Sequence, residues 1–124
     1  MIAVDTSSWS AFLEGKHGAD VEALEQALEH GNVVLPPVVL TELLSSPRLT
    51  EDAAKLFAGV PLLEIGSGYW ERAGRLRAKV LSKGLRARLA DTLIAQSCID
   101  HRVPLVTRDD DFRHFSQLGG LRVS

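Results

Sequence analysis

The sequence predicts a single α/β/α domain with a mostly parallel central sheet of four to five strands, and three observations support this fold class. Short apolar runs alternate with segments of helical periodicity along the chain. Short, continuously apolar strands are typical of a parallel sheet that helices cover on both faces. With 124 residues, of which 45% are hydrophobic, the chain is long enough for one packed core and too short for two.

The first part of the chain is predicted to form a strand and two helices. The strand is expected at Met1–Val4, and the residues after Asp5 favour a helix start because they are Thr, Ser and Ser. Residues 19–30 are predicted to be helical because apolar residues recur on one face. Gly31 is a natural stop for that helix.

A second strand and two more helices are expected next. Val33–Leu35 is a short apolar run, and the two prolines after it end the strand. The second proline suits the first turn of a helix that continues through Ser45. A further helix is expected to start at Thr50 or Glu51 and to end near Gly59.

The middle of the chain continues the alternation of strands and helices. Leu62–Ile65 is the third expected strand. The Gly-Ser-Gly turn after it leads into a basic helix over residues 69–83, and Gly84 is expected to end that helix. Residues 89–101, rich in Ala, Leu and Ile, are predicted to form the next helix.

The last quarter of the chain contains an acidic turn. Pro104–Thr107 is the fourth expected strand, and Asp109–Asp111 follow it. A short helix at Phe112–Phe115 and a strand at Leu121–Val123 complete the prediction. Because ligands of such sheets bind beyond the carboxyl ends of the strands, we expect the chemistry to lie at Asp5 and at the acidic turn.

Composition excludes several classes of protein. No stretch of 18 apolar residues exists, so no membrane span is predicted, and the N-terminus lacks the features of a signal peptide. The lone cysteine, Cys98, cannot form an internal disulfide, and we expect a cytoplasmic protein. The histidines lack zinc-ligand spacing, and the Gly-Ser-Gly turn lacks the third glycine of a dinucleotide-binding loop.

The charge is unevenly distributed along the chain, although the net charge is only −2. Residues 1–64 contain three basic and ten acidic groups, whereas residues 65–124 contain eleven basic and six acidic groups. Seven basic residues, uninterrupted by any carboxylate, fall in Arg72–Arg88, which we call the basic segment. The segment fits a surface for a polyanion and equally a solvated helix face.

Each acidic residue near the expected sheet edge has an ordinary structural explanation when it is considered alone. Asp5 fits a cap of the helix that follows it, and Glu42 fits a surface position. Asp91 lies in the first turn of the 89–101 helix, where it also fits a cap. However, Ile94 stands three residues later, so the sequence has no capping box there.

Taken together, these acids predict a metal site. Several carboxylates that converge without a basic partner repel one another. A hard divalent cation removes that conflict, since Mg²⁺ and Mn²⁺ prefer oxygen ligands. Such a site can activate water and stabilise charge on a phosphoryl group.

Four segments resemble those of a known family: MIAVDTS, LPPVVLTELL, LADTLIAQ and VTRDDDF. Over essentially its whole length the sequence resembles a PIN-domain ribonuclease, and more narrowly a VapC-type toxin of a toxin–antitoxin pair. The resemblance implies that the acids binding Mg²⁺ or Mn²⁺ in that family correspond here to four catalytic and metal-binding residues: Asp5, Glu42, Asp91 and Asp109. Asp111 is a candidate fifth ligand, and Thr107 is a candidate for orienting a ligand or water. The choice within Asp109–Asp111 stays open, with Asp109 favoured.

The resemblance also implies an activity and partners. The protein would be a metal-dependent endoribonuclease in which a metal-activated water attacks an RNA phosphodiester. It would form a homodimer and bind a VapB-like antitoxin that blocks the acidic pocket with an arginine or lysine. The basic segment would bind the RNA backbone through the following residues: Arg72, Arg75, Arg77, Lys79, Arg86 and Arg88.

Two alternatives belong to other functional classes. A receiver-type phosphoacceptor domain needs an aspartate at the end of its middle strand and a lysine after a late strand, and this chain has neither. A degenerate PIN fold would bind RNA or protein without cleaving it, and the complete acidic set argues against it. The two tryptophans, Trp9 and Trp70, fit core positions, a dimer interface or a base-stacking surface.

Overall fold

A parallel sheet of three strands lies at the centre of the structure, a computed structural model that describes residues 1–124. The strands are β1 (Ile2–Val4), β2 (Val33–Val34) and β3 (Leu105–Val106), in the order β2-β1-β3. Both neighbours of β1 run parallel to it. The carboxyl ends of β1 and β3 therefore meet at one edge, where Asp5 N–H donates a 2.9 Å hydrogen bond to Val106 O.

The two outermost segments that were predicted to be strands are reduced to single bridges. Leu62 forms an isolated parallel bridge with Leu35, and Val123 forms one with Leu105. Directly before the first of these segments, the Pro61 carbonyl accepts a hydrogen bond from Leu35 N–H, but proline has no N–H of its own with which to extend the ladder. The predicted parallel α/β architecture is thus confirmed, but only three of the five predicted segments are long enough to be strands.

Seven α-helices surround the sheet, and most of the predicted helix bounds are correct to within one or two residues. The helices are α1 (Thr6–Leu13), α2 (Ala19–Glu29), α3 (Pro37–Leu44), α4 (Glu51–Ala58), α5 (Tyr69–Ser82), α6 (Leu89–His101) and α7 (Arg113–Gly119). A single 3₁₀ turn over Asp110–Phe112 precedes α7. The last helix is longer than predicted because it continues until Gly120, whose left-handed conformation ends it.

The hydrophobic core contains residues from both faces of the sheet and from most of the helices. Trp9 is fully buried and packs edge-on against Phe12 and Phe57, which confirms its predicted core position. Cys98 is also buried among the core residues. Trp70, by contrast, is 62% exposed on α5, so a core position is wrong for this residue.

None of the helices has the length and hydropathy needed to cross a membrane.

Candidate active site

Asp5 is held in a fixed orientation at the end of β1. The residue is 4% exposed and forms the N-cap of α1. Its Oδ2 atom accepts hydrogen bonds from Ser7 N–H (3.4 Å), Ser7 Oγ–H (2.8 Å) and Thr107 Oγ1–H (3.0 Å). The capping role is therefore correct, but it uses only one carboxylate oxygen, and Oδ1 accepts no hydrogen bond from the protein.

Thr107 connects Asp5 to the acidic turn after β3. Besides donating to Asp5, its Oγ1 accepts a 3.0 Å hydrogen bond from Asp109 N–H. Asp109 Oδ1 in turn accepts from Asp111 N–H at 2.9 Å. Thr107 thus fixes two of the predicted acids relative to each other. The sequence suggested that this residue could orient a ligand or water; within the protein its hydroxyl contacts those two acids and, at 3.4 Å, Ser7 Oγ.

The three consecutive aspartates differ in their surroundings. Asp109 is half-buried, whereas Asp110 is exposed. Asp111 is half-buried, but its Oδ2 lies 3.7 Å from the Arg86 guanidinium. Of the three, Asp109 is the one that raises the pKa of Asp91. These differences favour Asp109 as the member of the acidic set that belongs to the pocket.

Glu42 extends from α3 toward the start of α1. It is half-buried, and its Oε1 accepts a 2.7 Å hydrogen bond from Thr6 Oγ1–H. Thr6 directly follows Asp5 in the chain, so this bond ties the Glu42 carboxylate to the Asp5 side of the pocket. The predicted off-core position of Glu42 is compatible with the burial of Val39 and Leu43 on the same helix.

Asp91 lies in the first turn of α6, but it does not cap the helix. The N-cap residue is Arg88, and no side chain makes a capping hydrogen bond there. Burial, followed by the charges of Asp5 and Asp109, raises the pKa of Asp91 from 3.8 to about 6. Glu42 adds a smaller effect in the same direction, and Arg88 opposes it. The four predicted acids therefore share one electrostatic environment.

None of these four acids is neutralised by an ion pair. The ion pairs of the protein join other residues: Lys16–Glu14, Arg72–Asp100, Arg86–Asp111 and Arg108–Asp20. In their present rotamers, no three His, Cys, Asp or Glu side chains lie close enough to hold a metal ion. The donors are nonetheless carboxylate oxygens, the type that Mg²⁺ and Mn²⁺ prefer. The donor set therefore fits a hard cation in chemistry and charge, and ligation would require the side chains to move closer together.

The basic segment is partly engaged in contacts within the protein. Arg72 pairs with Asp100, with 2.6 Å between Nη2 and Oδ2. Arg77 Nε donates to Ala87 O at 2.8 Å, and Lys79 Nζ donates to Leu118 O at 2.8 Å. The cations without a hydrogen bond or ion pair are exposed: Arg75, Lys83 and Arg88. Only part of the predicted RNA-binding set is therefore unengaged in the folded protein.

A groove of about 300 Å³ lies beside the acids, between α1, α3 and α4. Thr6 and Glu42 form its end next to the pocket, and Leu13, Leu43 and Leu49 give it an apolar wall. This groove could not be predicted from the sequence, because its lining residues come from two stretches of the chain, 6–14 and 42–53. Ser7 was not predicted as a partner of Asp5, although a serine two residues after a capping aspartate is a recognisable turn pattern.

The chain matches one family model and is similar in fold to several solved structures. Residues 2–118 match the family model described as PIN domain. The chain resembles VapBC2 from Rickettsia felis, solved with a promoter DNA fragment, with 22% identity, a TM-score of 0.74 and coverage of 100% of this chain and 98% of that chain.

Two further solved structures have similar folds. FitAcB from Neisseria gonorrhoeae has 23% identity and a TM-score of 0.69, with coverage of 99% of this chain and 96% of that chain. The toxin–antitoxin system VapBC-5 from Mycobacterium tuberculosis has 26% identity and a TM-score of 0.62, with coverage of 99% and 94%, respectively. No curated protein sequence matches the chain.

Proposed function

The chain belongs to the PIN-domain family, and from this membership we propose that it is a metal-dependent endoribonuclease of the VapC toxin type. One observation carries the proposal: the pKa of Asp91 is raised to about 6 by burial and by Asp5, Asp109 and Glu42 together. A half-buried carboxyl that lies among three further acids, none of them in an ion pair, forms a site suited to a divalent metal ion.

The proposed ligands of Mg²⁺ or Mn²⁺ are Asp5, Glu42, Asp91 and Asp109, with Asp111 as a candidate fifth. When bound, the metal ion would supply an activated water and stabilise charge on the phosphoryl group. Thr107 and Ser7 keep Asp5 Oδ2 engaged, so that Oδ1 is the oxygen available for ligation. Thr6 Oγ1–H likewise donates to Glu42 Oε1, so that Oε2 is the Glu42 oxygen available for ligation.

The RNA backbone would be bound by the basic segment. Arg88 directly precedes α6, and its charge acts on Asp91 in the pocket. Arg75 is exposed and makes no ion pair, so it is free to contact phosphate. The phosphate contacts supply affinity without sequence choice, because the backbone is the same in every RNA.

RNA cleavage by the purified protein tests this proposal. We expect cleavage with Mg²⁺ or Mn²⁺, no cleavage with EDTA, and loss of most activity in Asp5→Asn and Asp91→Asn variants that remain folded. Undiminished cleavage by Asp91→Asn protein would overturn the proposed site. RNA binding without cleavage by the wild type, with Mn²⁺ present, would instead identify a degenerate PIN fold.

The proposed macromolecular partners are a VapB-like antitoxin and a second copy of the chain. The groove beside Glu42 supports the first, since a peptide lying against its apolar wall could place an arginine or lysine near the acids. Trp70 and Leu89, 62% and 60% exposed, support the second, because they line one shallow apolar pocket on α5 and α6. The proposed location is the cytoplasm, where RNA and antitoxin would both be present.

A further inference from the structure

Arg108 stands between Thr107 and Asp109, yet its guanidinium does not pair with the acids of the pocket. Instead, Nε donates to Asp20 Oδ2 at 2.8 Å, and Nη2 donates to Asp20 Oδ1 at 2.9 Å. Nη2 also contacts His17 O at 3.2 Å. The result is a two-bond, fork-like pair of the kind that fixes geometry as well as charge.

The Asp20 end of this pair is itself well fixed. Asp20 is the second residue of α2, where the helix dipole favours a negative charge. Its side chain is only 11% exposed, and the bond from Arg108 holds the pKa of Asp20 well below its usual range. Arg108 therefore connects the loop after β3 to a rigid element on the other side of that loop.

Gly18 provides independent support for a built contact. A Cβ atom at this position would lie 2.6 Å from Asp20 Oδ1 and 3.0 Å from Arg108 Nη2. The backbone at Gly18 also has a φ of +152°, which L residues rarely adopt. The space that the pair occupies is thus available because residue 18 has no side chain.

We propose that Arg108 is a positioning residue whose pair with Asp20 fixes the loop carrying Thr107 and Asp109. The backbone N–H of Arg108 also donates to Ser7 Oγ at 3.4 Å, so the loop is held on both sides. The same pair also affects the charge of the pocket: because Asp20 binds the Arg108 guanidinium, Arg108 is kept from neutralising the adjacent Asp109. The positional part of this inference stands on geometry alone, and its effect on catalysis rests on the proposed function.

The test compares Asp20→Asn with a matched control, Asp100→Asn. Asp100 accepts from Arg72 Nε at 3.1 Å and from Arg72 Nη2 at 2.6 Å, so the control breaks a similar pair at the far end of α6 from Asp91. Two quantities are measured: amide hydrogen exchange at Asp109 and Asp111, and Mn²⁺ affinity by calorimetry. RNA cleavage and melting temperature are recorded alongside.

We expect Asp20→Asn to accelerate exchange at both amides and to weaken Mn²⁺ binding about tenfold, the effect typical of losing an outer support of a metal ligand. Asp100→Asn should change neither quantity, even if the two variants melt at similar temperatures. Arg108→Lys keeps the charge but loses the fork, so its Mn²⁺ affinity should fall between those of the wild type and Asp20→Asn. Adding Arg108→Ala to Asp20→Asn should cause no further acceleration of exchange.

The outcomes separate this inference from the proposed function. Unchanged exchange at Asp109 and Asp111 in Asp20→Asn would overturn the positioning role, whatever the activity. If the wild type neither binds Mn²⁺ nor cleaves RNA, the proposed function fails, and the exchange data still decide whether Arg108 positions the loop. If Asp100→Asn weakens Mn²⁺ binding equally, the effect is general destabilisation and the inference is again overturned.

Discussion

Asp91 differs from the other three predicted acids because its carboxylate accepts no hydrogen bond from the protein. Asp5, Glu42 and Asp109 are each held by hydroxyl or backbone donors. The identities of all four could be predicted from their places after strands and on helices. Their partners could not, because Thr107 lies 102 residues from Asp5 and Thr6 lies 36 residues from Glu42. Such contacts depend on how the strands pair.

The raised pKa of Asp91 predicts a specific dependence of stability on pH. Folding raises this pKa from 3.8 to about 6, so the folded state binds the proton more tightly than the unfolded state. The contribution of this shift to the free energy of unfolding is fully present below about pH 4 and is lost as the pH rises through about 6. The full shift corresponds to at most about 3 kcal/mol, and solvent screening at this half-buried group reduces it to about 1 kcal/mol.

Asp91→Asn should therefore gain stability relative to the wild type, by about 1 kcal/mol, between pH 4 and pH 7.5 in EDTA. Denaturant unfolding at several pH values measures this difference. If Asp91 were a helix cap, the opposite would be expected: the wild type would become more stable relative to Asp91→Asn as the carboxylate ionises. A difference that stays constant over this range would show that neither burial nor the neighbouring carboxylates raise the pKa of Asp91.

At the scale of elements, helices were predicted more accurately than strands. Helix bounds follow from local features such as Pro37 at the start of α3 and the Thr50 cap of α4. The edge segments at Leu62 and Val123 are apolar enough to suggest strands. The length of a ladder, however, depends on how many residues of the adjacent strand are available for pairing, and each segment forms only one bridge. The N-cap of α6 was missed because Arg88 is not a typical capping residue.

The basic segment on and after α5 was predicted to bind RNA, and the structure narrows the choice of mutation. Arg77 bonds to Ala87 O, so its replacement would also disturb the fold. Arg75 is exposed and unpaired, so Arg75→Ala should reduce the log–log salt slope of RNA binding by about 0.7 without lowering the melting temperature.

Lys55→Ala is a suitable control for Arg75→Ala, because Lys55 is an exposed cation on α4, outside the basic segment. Its salt slope should equal that of the wild type. If Arg75→Ala and an Arg75→Ala/Arg88→Ala double variant both keep the wild-type slope, the basic segment is a solvated face and RNA binds elsewhere.

At the scale of the whole molecule, the uneven charge and the exposed apolar residues point to different partners. The excess positive charge lies in the second half of the chain, and so do Trp70 and Leu89. The sequence placed Trp70 on a helix but could not decide between core, interface and stacking, because α5 has both a buried and an exposed face. The structure places Trp70 on the exposed face.

If Trp70 lies in a homodimer interface, Trp70→Glu should convert a dimer into a monomer, because an unpaired charge in an apolar contact is strongly disfavoured. Analytical ultracentrifugation at several concentrations measures this change. Leu81→Glu is the matched control, since Leu81 is an exposed apolar residue near the end of the same helix and does not line the Trp70 pocket. A Trp70→Glu protein that remains dimeric would place the interface elsewhere.

Mn²⁺ titration by calorimetry tests the proposed metal site independently of RNA. The wild type should bind Mn²⁺ at pH 7.5, and Asp5→Asn and Asp91→Asn should each weaken binding by more than about tenfold. Asp52→Asn, at an exposed acid on α4, should bind like the wild type. Saturating Mn²⁺ should stabilise the wild type by about 2.7 kcal/mol at a hundred times Kd. Wild-type affinity retained in both Asp5→Asn and Asp91→Asn would show that these carboxylates do not bind the metal ion.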